Sequence, residues 1–190
     1  MNRIVFLLEE ASMRDLLVGL LPRLYPNMVF EYLVHEGKSD LDRSIPRKLR
    51  AWREPGVRFV ILRDNDGGDC VRLKRRLLQS CRQAGRADTL VRIVCQQLEA
   101  WYLGEPDAMA EAFNNERLRG IGRRASFRDP DAVQQPSEAL RRLVPDFRKV
   151  GGAKAIAGLL TLERNNSKSF QVLLSGLDRL YAELEDGASE

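Results

Sequence analysis

Four short apolar runs, each followed by a helix-patterned segment, constrain this chain more than any other feature. They are RIVFLL at 3–8, MVFEYLVH at 28–35, VRFVILR at 57–63 and TLVRIVC at 89–95. Runs this short and this continuously apolar, rich in β-branched and aromatic residues, are the pattern of strands covered on both faces. After the first run, Leu16, Leu17, Leu20, Leu21 and Leu24 recur at helical spacing. Ser12 is the expected N-cap there, and Pro22 is expected to kink or shorten the helix. Residues 44–52 and 69–84 give two more helices, the latter stopped by Gly85. Alternating strand and helix predict a parallel α/β sheet with right-handed crossovers.

Beyond Cys95 the pattern turns helical, with short helices expected at 97–103, 107–113, 136–143 and 152–162 and a longer one at 169–184. In the last, Phe170, Leu173, Leu174, Leu177 and Leu184 share one stripe, which reads as core packing. Residues 114–135 are polar, basic and glycine-containing, and read as a loop or mobile insertion. The expected organisation is one domain over 1–190: a parallel core at 1–96 with a helical extension at 97–190 packed on it.

Hydrophobic residues make up 44% of the 190 and charged residues 31%, enough apolar material for a sizeable core. No stretch approaches the roughly 20 apolar residues a membrane span needs. The opening MNRIVFLLEE has too short an apolar run for a signal peptide and ends in two glutamates, so it reads as a strand. Cys70, Cys81 and Cys95 are odd in number and lack metal-type spacing, which points to reduced thiols in a cytoplasm. Net charge is +4, with a pI near 9.1. Basic pairs such as Arg47-Lys48, Arg123-Arg124, Arg141-Arg142 and Arg148-Lys149 are spread along helices and loops. That layout suits a polyanion held over an acidic site, though each pair alone reads equally well as a solvated helix face.

The acids fall at strand ends. The first run leads into Glu9-Glu10 and the third into Asp64-Asn65-Asp66, where open parallel sheets bind their ligands. With the chain extended through Asp66, Asp64 and Asp66 project to one side, about 6–7 Å apart at the Cα atoms. Gly67-Gly68 permits a sharp turn and lets Asp69 cap the next helix. Asp69 thus has a structural explanation; Asp64 and Asp66 do not. A divalent cation is the simplest offset to their repulsion, and oxygen-only ligands favour Mg²⁺ or Mn²⁺. His35, the single histidine, reads as structural or solvent-facing, and no Ser-His-Asp or Cys-His set is present.

A strand ending in glutamate and a later strand ending in an aspartate pair resemble the TOPRIM fold of topoisomerases, primases and overcoming-lysogenization-type nucleases. More closely, LLEEASMRDLLVGLLPRL, ILRDNDGGDC, CQQLEAWYLGEPDAM and VGGAKAIAGLL with NNSKSFQVLLSGL resemble the domain-of-unknown-function 4276 family of TOPRIM-like proteins. The resemblance covers most of the chain. It implies a TOPRIM-like (Rossmann-like) parallel sheet of about four strands flanked by helices, with a helical C-terminal region. It also implies that Glu9 is a general acid/base or metal ligand, that Asp64 and Asp66 hold Mg²⁺, and that Glu99 is a further acidic member, with Glu10 a neighbour. Independently, Glu99 stands beside Leu98 and Trp101, where an unpaired carboxylate is costly; a helix-capping or salt-bridging role remains open to it. The chain departs from TOPRIM usage at Glu10 and Asp69, where glycines are usual.

A cation beside the phosphate would assist cleavage. Lys154, after Gly151-Gly152 at an expected helix start, is the first candidate, with Arg164 and Lys168 behind it. Arg123 and Arg124 are further nucleic-acid contacts. The glycine pair reads equally as a phosphate-binding turn or a plain helix start. Trp52, Trp101, Tyr102 and Phe127 are assigned to packing. The leading expectation is a cytoplasmic, Mg²⁺-dependent TOPRIM-type nuclease acting on DNA or RNA, working with an ABC- or SMC-like ATPase in a defence-type system, as the resemblance implies. A non-catalytic TOPRIM-like partner-binding module is the alternative. A phosphoacceptor receiver domain is a third reading, which the helical C-terminal region fits poorly.

Overall fold

The computed structural model describes residues 3–186. Its centre is a four-stranded parallel sheet in the order β2-β1-β3-β4, built from β1 (Arg3–Leu8), β2 (Val29–Val34), β3 (Val57–Asp64) and β4 (Leu90–Val94). Side chains alternate across the pleat. Val5, Leu7, Phe59 and Ile61 face one apolar layer, and Ile4, Phe6, Leu8, Val60 and Leu62 face the other.

Helices α2 (Lys38–Ala51) and α3 (Cys70–Gln83) cover the first face through Leu41, Ile45, Leu49, Leu77 and Cys81. Helix α1 (Ala11–Leu24) and the C-terminal helices cover the second. These are α4 (Glu99–Leu103), α5 (Pro106–Ala112), α6 (Pro136–Leu143), α7 (Lys149–Ala157) and α8 (Lys168–Asp186). The α8 stripe of Phe170, Leu173, Leu174, Leu177 and Leu184 is buried in that core. Among the described residues, no helix is long and apolar enough to cross a membrane.

Several local features differ from the sequence reading. Helix α1 is preceded by Glu10 as its capping residue, leaving Ser12 inside the first turn, and it continues past Pro22 to Leu24. Its buried Leu16, Leu17, Leu20 and Leu21 hold the turn that the proline weakens. Helix α2 begins at Lys38, six residues before the expected start at Ser44 and with Pro46 inside it. Residues 114–135 are not an open loop. They form 3-10 turns at Glu116–Arg123, Ala125–Phe127 and Pro130–Ala132, anchored by buried Leu118, Ile121 and Pro130.

Helices α1 and α7 run side by side in the same direction. A Cβ on Gly19 would come within 2.6 Å of the Ala157 Cβ, and Arg23 donates to the Ala157 carbonyl at 3.0 Å. That close approach carries the first residues of α7 to the first residues of α1, next to the carboxyl end of the sheet.

Candidate active site

In this strand order the chain reverses direction across the sheet between β1 and β3, and ligands bind at such a point beyond the strand ends. The β1–β3 register sets Leu8 opposite Leu62, so the chain leaving β1 meets the last residues of β3. Glu9 accepts a hydrogen bond from the Asp64 backbone N–H at 3.1 Å. The chains stay laced beyond the strands, with His35 N–H on the Leu8 carbonyl at 3.0 Å and Gly37 N–H on the Glu9 carbonyl at 3.0 Å. His35 itself is buried, its Nδ1 against the Leu8 carbonyl at 2.9 Å and its Nε2 against Ser44. It is structural.

Asp64 has the parity of Val60 and Leu62 and shares their side of the sheet, beneath α1, α4 and α7. It is only 4% exposed, and its Oδ1 has no hydrogen-bond partner. Burial, then the fields of Glu9, Glu10 and Glu99, push its carboxyl well above the usual aspartate range. Glu99, the first residue of α4, is 1% exposed with both carboxylate oxygens unpartnered. Burial raises its pKa, opposed chiefly by Lys149. Burial raises that of Glu9 as well, and the Asp64 N–H only partly counters it. The Tyr102 hydroxyl is also buried without a hydrogen-bond partner, and Asp15 Oδ2 is buried with no hydrogen bond and only Lys154 at 3.9 Å. The Tyr102 phenol is held well above its usual value by burial, with Glu99 the largest charge acting on it.

The cation in this cluster is Lys149. Its ammonium lies 3.0 and 3.2 Å from the two Glu10 carboxylate oxygens. Burial alone would lower its pKa, but the fields of Glu99 and Glu10 hold it above the ordinary lysine value. Glu10, where TOPRIM proteins usually carry glycine, thus anchors a lysine from a distant helix. Asp69, at the other departure, accepts from the N–H groups of Val71 and Arg72 at 2.8 and 3.0 Å and caps α3.

The structure therefore brings together Glu9, Asp64 and Glu99, with Glu10 and Lys149. Asp66 is near enough to be the largest charge acting on Glu9, but it does not have the expected extended geometry. Asp66 has φ +47° and Gly67 +77°, so the strand turns immediately after Asn65. The Asp66 N–H bonds the Gln96 carbonyl at 3.0 Å, and its exposed carboxylate meets Lys38 of α2 at 3.0 Å. Lys154 stands five residues beyond Lys149, 3.9 Å from Asp15, with its side chain 66% exposed. Arg164 pairs at 3.0 Å with buried Glu105. Arg123 and Arg124 are exposed on the 3-10 segment, and Lys168 opens α8 on a separate hollow.

The glycine pair also plays a different part. Gly151 and Gly152 lie inside α7, and the Gly152 N–H already bonds the Arg148 carbonyl at 2.7 Å. A Cβ on Gly152 would stand 2.2 Å from the Phe147 ring, so this glycine makes room for an aromatic side chain. Trp101 and Tyr102 pack edge-on against Phe170 and Phe147, as their assignment to packing expects.

The donor chemistry of Glu9, Asp64 and Glu99 fits a hard divalent cation: all oxygen, with Asp64 and Glu99 buried and carrying carboxylate oxygens that lack any hydrogen-bond partner. As the side chains stand, among the described residues no three His, Cys, Asp or Glu form a ready-made metal cluster. Asp66 faces Lys38 and Glu10 is engaged by Lys149, which leaves the cluster short of a closed ligand set.

A parallel sheet of this order, with an acid following β1 and another ending β3, defines a TOPRIM-like α/β protein. Residues 8–178 match the family described as Domain of unknown function (DUF4276), and the chain belongs to that family. The fold is that of the C-terminal region of OLD proteins. The Xanthomonas campestris pv. campestris region superposes with a TM-score of 0.60 at 16% identity, covering 100% of this chain and 99% of that one. The Burkholderia pseudomallei region gives a TM-score of 0.59 at 16% identity, covering 98% of each chain. No curated protein matches the chain in sequence at a significant level.

Proposed function

We propose that this protein is a Mg²⁺-dependent TOPRIM-type nuclease whose centre is Glu9, Asp64 and Glu99, with Lys149 as its cationic member. The observation that carries this reading is the burial of Asp64 and Glu99 with oxygens that no protein group satisfies, at the point of the sheet where ligands bind. An uncompensated buried carboxylate destabilises a fold, so a cluster of them calls for a cation as its partner. Glu9, Asp64 and Glu99 would hold the ion, with Asp66 a further ligand once released from Lys38. Bound there, Mg²⁺ or Mn²⁺ would polarise a phosphodiester and favour ionisation of the attacking water.

The chain's own groups do the rest. Glu9, its carboxylate fixed by the Asp64 N–H and its pKa raised by burial, is suited to hold or pass a proton. Lys149 offers a positive charge to the substrate phosphate once it leaves Glu10. Lys154, Arg123, Arg124 and Arg164 would guide the flanking nucleic acid. The chain has no phosphate loop, so nucleotide-driven control would come from an ABC- or SMC-like ATPase partner in a defence-type system. The likeness to a region of larger OLD proteins supports that context.

The test is cleavage of plasmid DNA and of single-stranded DNA and RNA, with Mg²⁺ and with EDTA, by wild type and Asp64→Asn. Metal-dependent cleavage lost in the variant is the expected result; equal cleavage by the variant, or none by wild type, refutes the reading. The position of Asp66 favours the second reading, a non-catalytic module that docks on a partner. That version expects no calorimetric Mg²⁺ binding and unchanged ATPase association in Glu9→Gln.

A further inference from the structure

Strand β4 lies at the edge of the sheet, and beside it α3 and α8 enclose a hollow of about 260 Å³. Its floor is apolar, with Val71 65% and Val172 37% exposed. Around it stand Lys74 from α3, Arg92 from β4 and Lys168 from the start of α8. Arg179, about three turns beyond Lys168 along α8, acts by its charge on both Lys74 and Arg92.

These cations stand together without an acid partner. Among the described residues, no carboxylate lies within ion-pairing distance of Lys74, Arg92, Lys168 or Arg179, whereas Arg3, Arg58, Arg63, Arg76, Arg86 and Arg164 are each paired. Arg92 is the telling member. Its side chain lies 8% exposed at the edge of the core, yet it donates only to backbone carbonyls, Nε to Val172 at 3.0 Å and Nη1 to Val91 at 3.0 Å. It lies flat against α8 because residue 176 is glycine; a Cβ there would come within 2.6 Å of its Nη2. Burial, and then the neighbouring cations, lower the pKa of both Arg92 and Lys74. The one acid in the wall, Asp131, is engaged by Ser167 and by the hydroxyl and N–H of Ser169 at 2.7–3.1 Å.

Helices that crowd like charges without a counterion need an anion to complete them. A compact rim of cations over an apolar floor matches alternating phosphates and sugars more closely than an isolated carboxylate. The hollow also opens beside Cys95, at the carboxyl end of β4, the side of the sheet that carries Asp64.

We propose that Lys74, Arg92, Lys168 and Arg179 form a second phosphate-binding surface, along which a nucleic-acid backbone lies as it approaches the acidic centre. The assignment rests on the nucleic-acid reading of that centre but not on its catalysis, so the two are tested apart.

The experiment is fluorescence anisotropy with a 5′-labelled 20-nucleotide single-stranded DNA and its RNA counterpart, in EDTA, over a salt series. It compares wild type, Lys74→Ala/Arg179→Ala and, as a control remote from the hollow, Arg50→Ala at the exposed end of α2. Arg179 is exposed and Lys74 half-buried at the rim of the hollow, and circular dichroism checks that the double variant keeps the fold. The expected result is affinity reduced about tenfold or more, with the salt dependence shallower by about one to two phosphate contacts, and Arg50→Ala like wild type. Binding by the double variant equal to wild type overturns the proposal. So does absence of salt-dependent binding by wild type, or competition by poly-glutamate as strong as by unlabelled DNA, which would assign the hollow to an acidic polypeptide. Asp64→Asn is run alongside: if it binds normally but does not cleave, the centre and the hollow are separate. If wild type binds through the hollow but never cleaves, the nuclease reading falls and the surface stands.

Discussion

Replacing Asp64 by asparagine should make the metal-free protein more stable, against the usual direction for a buried substitution. The side chain is 4% exposed, Oδ1 has no partner, and Glu9, Glu10 and Glu99 all act against its charge. Asparagine keeps the shape, removes the charge and adds a donor facing Glu9 and Glu99. The hydrogen bond to Glu9 survives because it comes from the backbone N–H. An unsatisfied buried polar group costs about 1–3 kcal/mol, and a domain of this size gains roughly 2–4 °C in Tm per kcal/mol. The expected rise at pH 7 in EDTA is therefore roughly 2–12 °C.

Its pH dependence separates this cause from generic packing. An unfolded aspartate ionises near pH 3.9, whereas Asp64 in the fold ionises well above the ordinary value. Below about pH 4 the carboxyl is protonated in both states and the substitution gains little. As pH rises the unfolded chain gives up its proton first, so wild type loses stability until the folded value is passed, and the gap then stays fully open. Scanning calorimetry of both proteins from pH 4 to pH 8 reads this directly. Saturating Mg²⁺ should then raise the wild-type Tm, by about 2.7 kcal/mol of stability at a hundred times Kd, and leave the variant unmoved. A variant less stable than wild type at pH 7, or a gap that does not widen with pH, refutes the account of Asp64 as an uncompensated charge.

Two further expectations concern α7. Lys149→Met should cost about 1–2 kcal/mol in urea unfolding at pH 7, since its side chain is about one-third exposed and screening trims the value of a buried pair. A double-mutant cycle with Glu10→Gln should show a coupling above about 0.5 kcal/mol; additive losses would mean the contact contributes nothing. Gly152→Ala should cost about 1–3 kcal/mol by overpacking against Phe147. Gly151→Ala, whose nearest contact would be at 3.9 Å, should gain about 0.5–1 kcal/mol of helix propensity, and equal losses in the two would return the glycine pair to phosphate binding.

The strands were legible because burial on both faces leaves a continuous apolar run, and 3–8 matches the strand end for end. Helix α2 was read short because its first turn, KSDL, is polar and starts from Gly37 at φ +86°, with only Leu41 marking its inner face before Ile45. The 3-10 turns at 116–132 were invisible for a related reason: Leu118, Ile121 and Pro130 are too few and too irregular to make a period. Asp64 and Glu99 stand out in the sequence because each is a carboxylate beside an apolar segment, and Glu9 is preferred to Glu10 through the TOPRIM resemblance. That anomaly needs no partner to be seen.

Asp66 and Lys149 differ in kind, since their positions depend on partners distant in sequence. Asp66 leaves the extended path because the Gln96 carbonyl captures its N–H and Lys38 its carboxylate. Lys149 reaches the acids because the contact between Gly19 and Ala157 lays α7 against α1. The two departures from TOPRIM usage then have separate physical roles. Asp69 fastens α3 to the turn after Asp64, and Glu10 holds an ammonium beside carboxylates that would otherwise be less compensated. A site with its own cation can fold without metal, and under the proposed nuclease function Lys149 would leave Glu10 for a substrate phosphate. Glu10 therefore supports the fold of the metal-free protein, and its presence does not count against a metal-binding centre.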